Sequence, residues 1–372
     1  MKILTVSHFF ESHGGGIERV AAQLNREFSR AGHRATWSAC GADDIAEEFT
    51  RIPLNCFDPA QTSTGLPLPI PRFAALRSLF RAVRDSDAVI IHDSLYVTSI
   101  AAVVAAKLRG RPVLLIQHIA DIQFKSKAKR SLMWLANLCV TRPMLAAADH
   151  LVFISNQVRR KLVGDSPSPK YALLFNGVNS SVFFPATQLS RISTRSRYQI
   201  SNHARVVLFV GRFVDKKGLG ILKLVAARRP DLRFVLVGAG PISPQNWGLA
   251  NVRVLPMQSP QVVAELYRAV DLLLLPSVGE GFPLVIQEAM ASGLPVVCGF
   301  DSATADPHAS QWLRGIELNL ADEVGSAALC DAAITQTLAN PIDTAEMARY
   351  AIHSYSWTLM AERIVGFLSE SS

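Results

Sequence analysis

Ten short apolar runs, each followed by an amphipathic stretch, set the strongest limit on how this chain of 372 residues can fold. They are Ile3–Val6, Ala88–Ile91, Val113–Gln117, Leu151–Ile154 and Ala172–Phe175, then Val206–Val210, Phe234–Val237, Val252–Leu255, Leu272–Leu275 and Pro295–Cys298. Their residues are apolar in succession instead of alternating with polar ones, as parallel strands covered on both faces require. Strand, helix, strand in repetition predicts doubly wound parallel sheets. The pattern breaks once, between Asn179 and His203, where polar residues, Pro185 and several arginines fall together. That break predicts a linker. The expected organisation is an α/β chain of two Rossmann-like domains facing a cleft. A first domain spans 1–179, a linker 180–203 and a second domain 204–355, followed by a closing segment 356–372.

Composition narrows the setting. The hydrophobic content of 49% is enough for two buried cores. No uncharged apolar stretch reaches the roughly 18 residues of a membrane span; the longest candidate, Ser94–Ala106, stops at Lys107. The apolar start Ile3–Val6 is soon interrupted by His8 and Glu11, so no signal peptide is expected. Cys40, Cys56, Cys139, Cys298 and Cys330 are scattered and odd in number, which argues for reduced thiols, no zinc site and a cytoplasmic location. Residues 1–178 carry 22 Lys/Arg against 14 Asp/Glu, whereas 179–372 carry 16 of each. The whole positive excess therefore lies in the first half, which suits a polyanion such as nucleic acid or an anionic membrane surface.

In open α/β sheets ligands bind beyond the carboxyl ends of strands, so the residues just after each run are the ones to inspect. After the first run come Gly14-Gly15-Gly16 and an amphipathic helix. Bare N–H groups at a helix amino end suit a diphosphate. The third glycine of the dinucleotide fingerprint is absent, which weakens a dehydrogenase reading. After Val206–Val210 come Gly211-Arg212 and Lys217-Gly218. Cations at the end of a buried strand are costly unless an anion meets them, so Arg212 and Lys217 are diphosphate candidates. The segment from Pro276 to Val297 reads as strand end, glycine loop, helix, stop and strand. Pro283 stands at the helix start, Gly293 at its left-handed end, and Glu280 and Glu288 eight residues apart. Glu288 interrupts the apolar face, and ribose hydroxyls would partner a buried carboxylate there. Asp85-Ser86-Asp87 matches a D-x-D metal motif but precedes a strand, so it reads as a solvated turn. No His/Cys/Glu cluster has metal spacing.

At Glu280 and Glu288 the chain resembles the retaining glycosyltransferases of GT-B fold, family 4, the glycosyl transferases group 1 type, through their E-x7-E motif. The likeness extends to the N-terminal glycine loop, Gly32-His33, Asn176-Gly177-Val178-Asn179, Gly211-Arg212 with Lys217-Gly218, Gly238-Ala239-Gly240-Pro241 and Ser356-Trp357. The resemblance implies that Arg212 and Lys217 bind a donor diphosphate and Glu288 the ribose. Glu280, with the backbone of Gly281, Phe282, Pro283 and Leu284, would hold the donor sugar and phosphate, and Gly14, Gly15 and Gly16 would close on the diphosphate. His118, after the run Val113–Gln117, matches a histidine placed beside the donor sugar. The closing helix would cross back to the first domain. The stretch Gly299–Asp306 departs from the family's glycine-rich pattern.

The expected activity is thus a retaining, metal-independent hexosyltransferase that needs no cofactor, with His118, Glu280, Arg212 and Lys217 in the catalytic set. Its donor would be a GDP- or UDP-linked sugar and its acceptor a glycan or lipid-linked molecule of bacterial polysaccharide, lipopolysaccharide or glycolipid synthesis. His8 and Asp121 are acceptor-side candidates. From Ile122 to His150 the only acid is Asp149, and Lys125, Lys127, Lys129 and Arg130 lead into Leu132-Met133-Trp134-Leu135. This reads either as a basic amphipathic helix on an anionic membrane, with Trp134 at the interface, or as a solvated face. A sugar-nucleotide epimerase would use the same architecture but needs acid/base groups on both sugar faces. A nucleic-acid binder is suggested by charge alone and has no motif behind it, so no nucleic-acid partner is expected.

Overall fold

The computed structural model describes residues 1–41, 48–58, 68–120 and 127–370, the side chains of 127–130 excepted. They form two units. The first is drawn from Met1–Asp121, Lys127–Asn176 and Trp357–Ser372, the second from Gly177–Ser356.

The first unit contains β1 (Lys2–Phe9), β2 (Arg34–Cys40), β3 (Thr50–Leu54), β4 (Cys56–Phe57), β5 (Ile70–Pro71), β6 (Ala88–His92), β7 (Val113–Gln117), β8 (His150–Phe153) and β9 (Tyr171–Leu173). Seven of these form an all-parallel sheet in the order β3-β2-β1-β6-β7-β8-β9, and β4 and β5 pair antiparallel beside it. Every residue of β6 and β7 is buried, which is why their runs are apolar without alternation. The second unit contains β10 (Val206–Val210), β11 (Arg233–Val237), β12 (Val252–Leu255), β13 (Leu272–Leu275), β14 (Val296–Gly299) and β15 (Leu313–Ile316). They form one parallel sheet in the order β12-β11-β10-β13-β14-β15. Both units are thus Rossmann-like. The strand order reverses between β1 and β6 in one and between β10 and β13 in the other, and these are the places where such sheets open a crevice. The last helix, Trp357–Glu370, belongs to the first unit: Thr358 Oγ1 donates to Glu27 Oε2 at 2.9 Å, and Phe367 stacks on His150.

Three expectations need correction. The inner strand β2 and the edge strands β3 and β15 are absent from the ten runs, because Arg34, Thr36 and Ser38 in the first, Arg51 and Pro53 in the second and Arg314 and Gly315 in the third break the apolar pattern. An edge strand tolerates both kinds of interruption.

The segment 180–203, expected as a linker, holds the helix Gln188–Arg197 within the second unit. Two of its arginines, Arg191 and Arg195, face inward, whereas Arg197 stays exposed. Arg195 is 3% exposed and spends all five donors: on the carbonyls of Ala269, Ser201, Asn202 and Ala204, and on Asp271 Oδ2 at 2.8 Å. Arg191 reaches Asp271 Oδ1 at 2.8 Å and two further carbonyls. Asp271 also accepts the Val206 backbone N–H, so it anchors β10 to this helix.

The cysteines were read as unpaired, but Cys40 and Cys56 form a disulfide, with Cα atoms 5.7 Å apart. They lie at the end of β2 and in β4, which the fold sets side by side although 16 residues separate them. The argument from free thiols to a reducing compartment therefore fails. Cys298 and Cys330 are buried, and burial pushes their thiols up to about 12.

Removing Asp271 leaves Arg195 buried with a donor unmet and its charge uncompensated. Asp271→Ala is expected to lower unfolding free energy by about 3 kcal/mol or more in urea titration. A loss within about 0.5 kcal/mol, as for an ordinary surface change, would show that the anchor contributes nothing.

Candidate functional site

In the first unit the residues at the switch between β1 and β6 converge. The end of β1 carries His8, which is buried. A turn Glu11–His13 follows, then Gly14 with φ +77°, and Gly15 caps the helix Gly16–Arg30 without a side-chain bond. Gly14, Gly15 and Gly16 therefore lie where a helix amino end presents free N–H groups. An internal anion already meets that end. Glu18, 2% exposed, accepts from His8 Nε2 at 3.0 Å and from His13 Nδ1 at 3.2 Å, both at Oε1. A Cβ on Gly15 would overlap Glu18 Oε2, which explains the glycine there. Burial alone would push the Glu18 carboxyl up, but the hydrogen bonds from His13 and His8 outweigh it and hold the group well below the usual carboxylate range. Tyr96 stacks flat on His8 with ring centroids 4.0 Å apart.

Next to it, at the ends of β6 and β7, lie His92, Asp93 and His118, all nearly or fully buried. His92 Nδ1 and His118 Nε2 are 3.0 Å apart. Asp93 Oδ1 accepts the His118 backbone N–H at 2.8 Å. Asp93 holds φ +60°, a left-handed conformation that costs a non-glycine residue about 1 kcal/mol or more and tends to mark functional sites. Burial pushes its carboxyl up to about 6 and pushes the His118 imidazole down to about 3, so His118 is neutral at physiological pH. Glu18, His92, Asp93 and Tyr96 were not anticipated. His92 and Asp93 carried a usable signal, since they follow the run Ala88–Ile91 directly, where the strand-end rule says to look. Asp121 lies outside the described residues.

The second unit builds its site at the ends of β10, β11 and β13. Gly218, φ +72°, passes under the Pro276 carbonyl, and Gly238 passes against the Gly211 carbonyl, so a side chain at either would strike backbone. Val278 N–H bonds Lys216 O, and Phe213 N–H bonds Ala239 O, which lock the three loops together. Lys217 Nζ lies 2.6 Å from Glu280 Oε1, and Ser277 Oγ donates to Glu280 Oε2 at 3.1 Å. Burial raises the Glu280 carboxyl, but the charges of Lys217 and Lys216 and these bonds prevail and keep it below its ordinary value. Arg212 was expected to be a costly buried cation; it is exposed, with no ion-pair partner among the described residues. The strand-end cost argument thus applies to Lys217 and not to Arg212.

Pro283 caps the helix Leu284–Ala291, with Gly281 and Phe282 buried ahead of it. Gly293 ends the turn after it with φ +71°. Glu288 is 7% exposed, and the Tyr267 hydroxyl lies 3.3 Å from its Oε2. Among the described residues no group of three or more His, Cys, Asp or Glu is placed to hold a metal ion.

Lys125 is outside the described residues, and Lys127, Lys129 and Arg130 fall in the helix Lys127–Ala136 with side chains likewise outside them. A π-helical turn, Asn137–Thr141, continues that helix. Met133 points inward and is buried, whereas Trp134 (66%), Leu132 (67%), Leu135 and Leu138 are exposed on the opposite side. No helix among the described residues is long and apolar enough to cross a membrane.

Two family models match the chain: Glycosyltransferase Family 4 over residues 14–182 and Glycosyl transferases group 1 over residues 204–311. Among curated proteins, the D-inositol 3-phosphate glycosyltransferase of Corynebacterium aurimucosum is 32% identical over 221 residues, 50% of this chain and 52% of that protein. The enzyme of the same name from Mycolicibacterium smegmatis is 32% identical over 181 residues, covering 43% and 40%. The chain thus spans about half the length of the curated relatives it matches. Solved structures share the fold at low identity. Sucrose-phosphate synthase from Thermosynechococcus elongatus has a TM-score of 0.76 at 20% identity, covering 100% of this chain and 98% of that one. Anabaena HepE in complex with UDP and glucose has 0.72 at 16%, covering 99% of each. WaaG, a glycosyltransferase of lipopolysaccharide biosynthesis, has 0.67 at 16%, again covering 99% of each. With the family 4 model lying largely on the first sheet and the group 1 model on the second, the chain belongs to the GT-B glycosyltransferases of family 4, group 1.

Proposed function

We propose that this chain transfers a hexose from a GDP- or UDP-linked donor to a glycan or lipid-linked acceptor, with retained anomeric configuration and without a metal. The observation that carries this reading is the cation pair at the end of β10. Lys217 is held at 2.6 Å from Glu280, and Arg212 stands beside it, exposed and without an ion-pair partner among the described residues. A leaving diphosphate gains negative charge as its bond to the anomeric carbon breaks. Fixed cations and helix amino ends stabilise that charge in the transition state. In this reading Lys217 moves from Glu280 to the phosphate, and Glu280 turns to a hydroxyl of the sugar. Glu288 receives the ribose, and the backbone of Gly281–Leu284 lies along the phosphate and sugar. The acceptor oxygen attacks from the face the diphosphate leaves, and its proton passes to the departing phosphate oxygen. His118 stands by the donor sugar, and His8 belongs to the acceptor side. Gly14, Gly15 and Gly16, at the amino end of the helix Gly16–Arg30, close on the diphosphate in this reading. Anabaena HepE, solved in complex with UDP and glucose, supports a nucleotide-sugar donor.

A finer reading concerns the acceptor. The crest of Trp134, Leu132, Leu135 and Leu138 beside an acid-free basic stretch suits an anionic lipid surface carrying a lipid-linked acceptor.

Incubation with a panel of nucleotide sugars is expected to release nucleoside diphosphate from at least one GDP- or UDP-linked hexose; release from none would overturn the reading. By calorimetry, Lys217→Ala and Arg212→Ala should each weaken nucleoside diphosphate binding by about tenfold or more, with circular dichroism unchanged. Wild-type affinity in both would place the phosphate elsewhere.

Turnover should survive EDTA, since the two cations stand where a metal would otherwise neutralise the phosphates. Complete loss, restored by manganese or magnesium, would contradict this.

The chain should bind anionic vesicles but not neutral ones, less so as salt rises, each Lys or Arg contributing roughly 1 kcal/mol. Replacing Lys125, Lys127, Lys129 and Arg130 with Ser should abolish that binding while leaving donor binding intact. Equal binding by this variant would leave the helix an ordinary solvated face.

A further inference from the structure

Two imidazoles at the β1–β6–β7 end of the first unit share one hydrogen bond, and its direction follows from the remaining nitrogens. His92 Nδ1 and His118 Nε2 are 3.0 Å apart inside the protein. Burial lowers both imidazoles, with His118 at about 3 and His92 well below its ordinary value. Both rings are therefore neutral, and each carries one proton. A contact this short between two ring nitrogens needs one proton in it.

His92 Nε2 is buried and has no hydrogen-bond partner among the described residues. If the His92 proton sat there, a buried N–H would be orphaned. Orphaned donors are rarer than under-used acceptors in folded proteins. The proton therefore belongs on His92 Nδ1, and it is donated to His118 Nε2. His118, its Nε2 lone pair engaged, must keep its own proton on Nδ1. Asp93 Oδ1 holds the His118 backbone N–H from the next strand end, so the ring that receives this bond cannot drift from it.

We propose that His92 is a positioning residue which locks His118 in the neutral Nδ1–H tautomer, so that His118 acts as a hydrogen-bond donor toward the sugar or its departing oxygen and not as a proton acceptor. This rests on the placement of His118 beside the donor given above. It assigns His92 a part, and it limits His118 to one chemical role. A neutral donor fits a site where negative charge develops, and it leaves the acceptor's proton to the departing phosphate.

The test labels histidine with 15N and reads the tautomer from long-range proton–nitrogen correlations in the full chain. Assignment uses His92→Asn and His118→Gln. The wild type is expected to show His118 as one neutral Nδ1–H form from about pH 6 to about pH 8. His92→Phe keeps a ring of similar size but has no donor, and should shift His118 toward the Nε2–H form or a mixture. His92→Asn places an amide N–H near the lost Nδ1–H and should restore the single form. With the nucleotide sugar that the panel identifies, His92→Phe should lower kcat by roughly tenfold at nearly unchanged donor KM, and His92→Asn should recover most of it. An Nε2–H His118 in the wild type, or a tautomer indifferent to His92→Phe, would overturn the proposal. So would a tautomer that shifts while kcat does not. Loss of the donor reading itself would appear separately, as no turnover of any nucleotide sugar with the wild-type tautomer still as expected.

Discussion

In an all-parallel sheet every strand ends on the same edge, and where the strand order reverses the loops at that edge part from each other. Both units of this chain obey that constraint. Everything with chemical character follows from it: His8, His92, Asp93 and His118 close β1, β6 and β7, and Gly211–Gly218, Gly238 and Ser277–Glu280 close β10, β11 and β13. The apolar strands serve to hold these ends in register. The polar groups then organise one another. Glu18 gathers His8 and His13, Asp93 holds the backbone of His118, and Lys217 is kept in place by Glu280.

The two clusters differ in how they handle charge. In the second unit a buried carboxylate and a lysine neutralise each other, so the site keeps a cation in reserve that an anion can draw away. In the first unit's cluster burial keeps the imidazole of His118 neutral, while Glu18 stays ionised between His8 and His13. Under the proposed function the second-unit cluster holds the diphosphate and the first offers the neutral imidazole of His118 as a hydrogen-bonding group.

Much of this was legible in the residues. The ten apolar runs all became strands; in those buried on both faces, such as β6 and β7, a polar side chain has nowhere to go. The loop from Pro276 to Gly293 was legible for a different reason: proline, glycine and glutamate each have one physical use at their positions there. What escaped depended on contacts made in three dimensions. Arg191 and Arg195 look like solvated charges until their partners Ala269 and Asp271, more than seventy residues away, are known. Cys40 and Cys56 look unrelated until β2 and β4 lie together. Glu18 reads as an ordinary first-turn acid, and only the fold shows that two histidines converge on it. Arg212 erred in the opposite sense, because a loop can carry a strand-end cation out to solvent.

The central claim is that the Lys217–Glu280 pair opens to admit a diphosphate. A crystal structure of the chain with a bound nucleoside diphosphate tests it most directly. The account predicts Lys217 Nζ and the Arg212 guanidinium within hydrogen-bond distance of phosphate oxygens, with Glu280 released from Lys217. A diphosphate bound elsewhere, with the 2.6 Å Lys217–Glu280 contact intact, would contradict it.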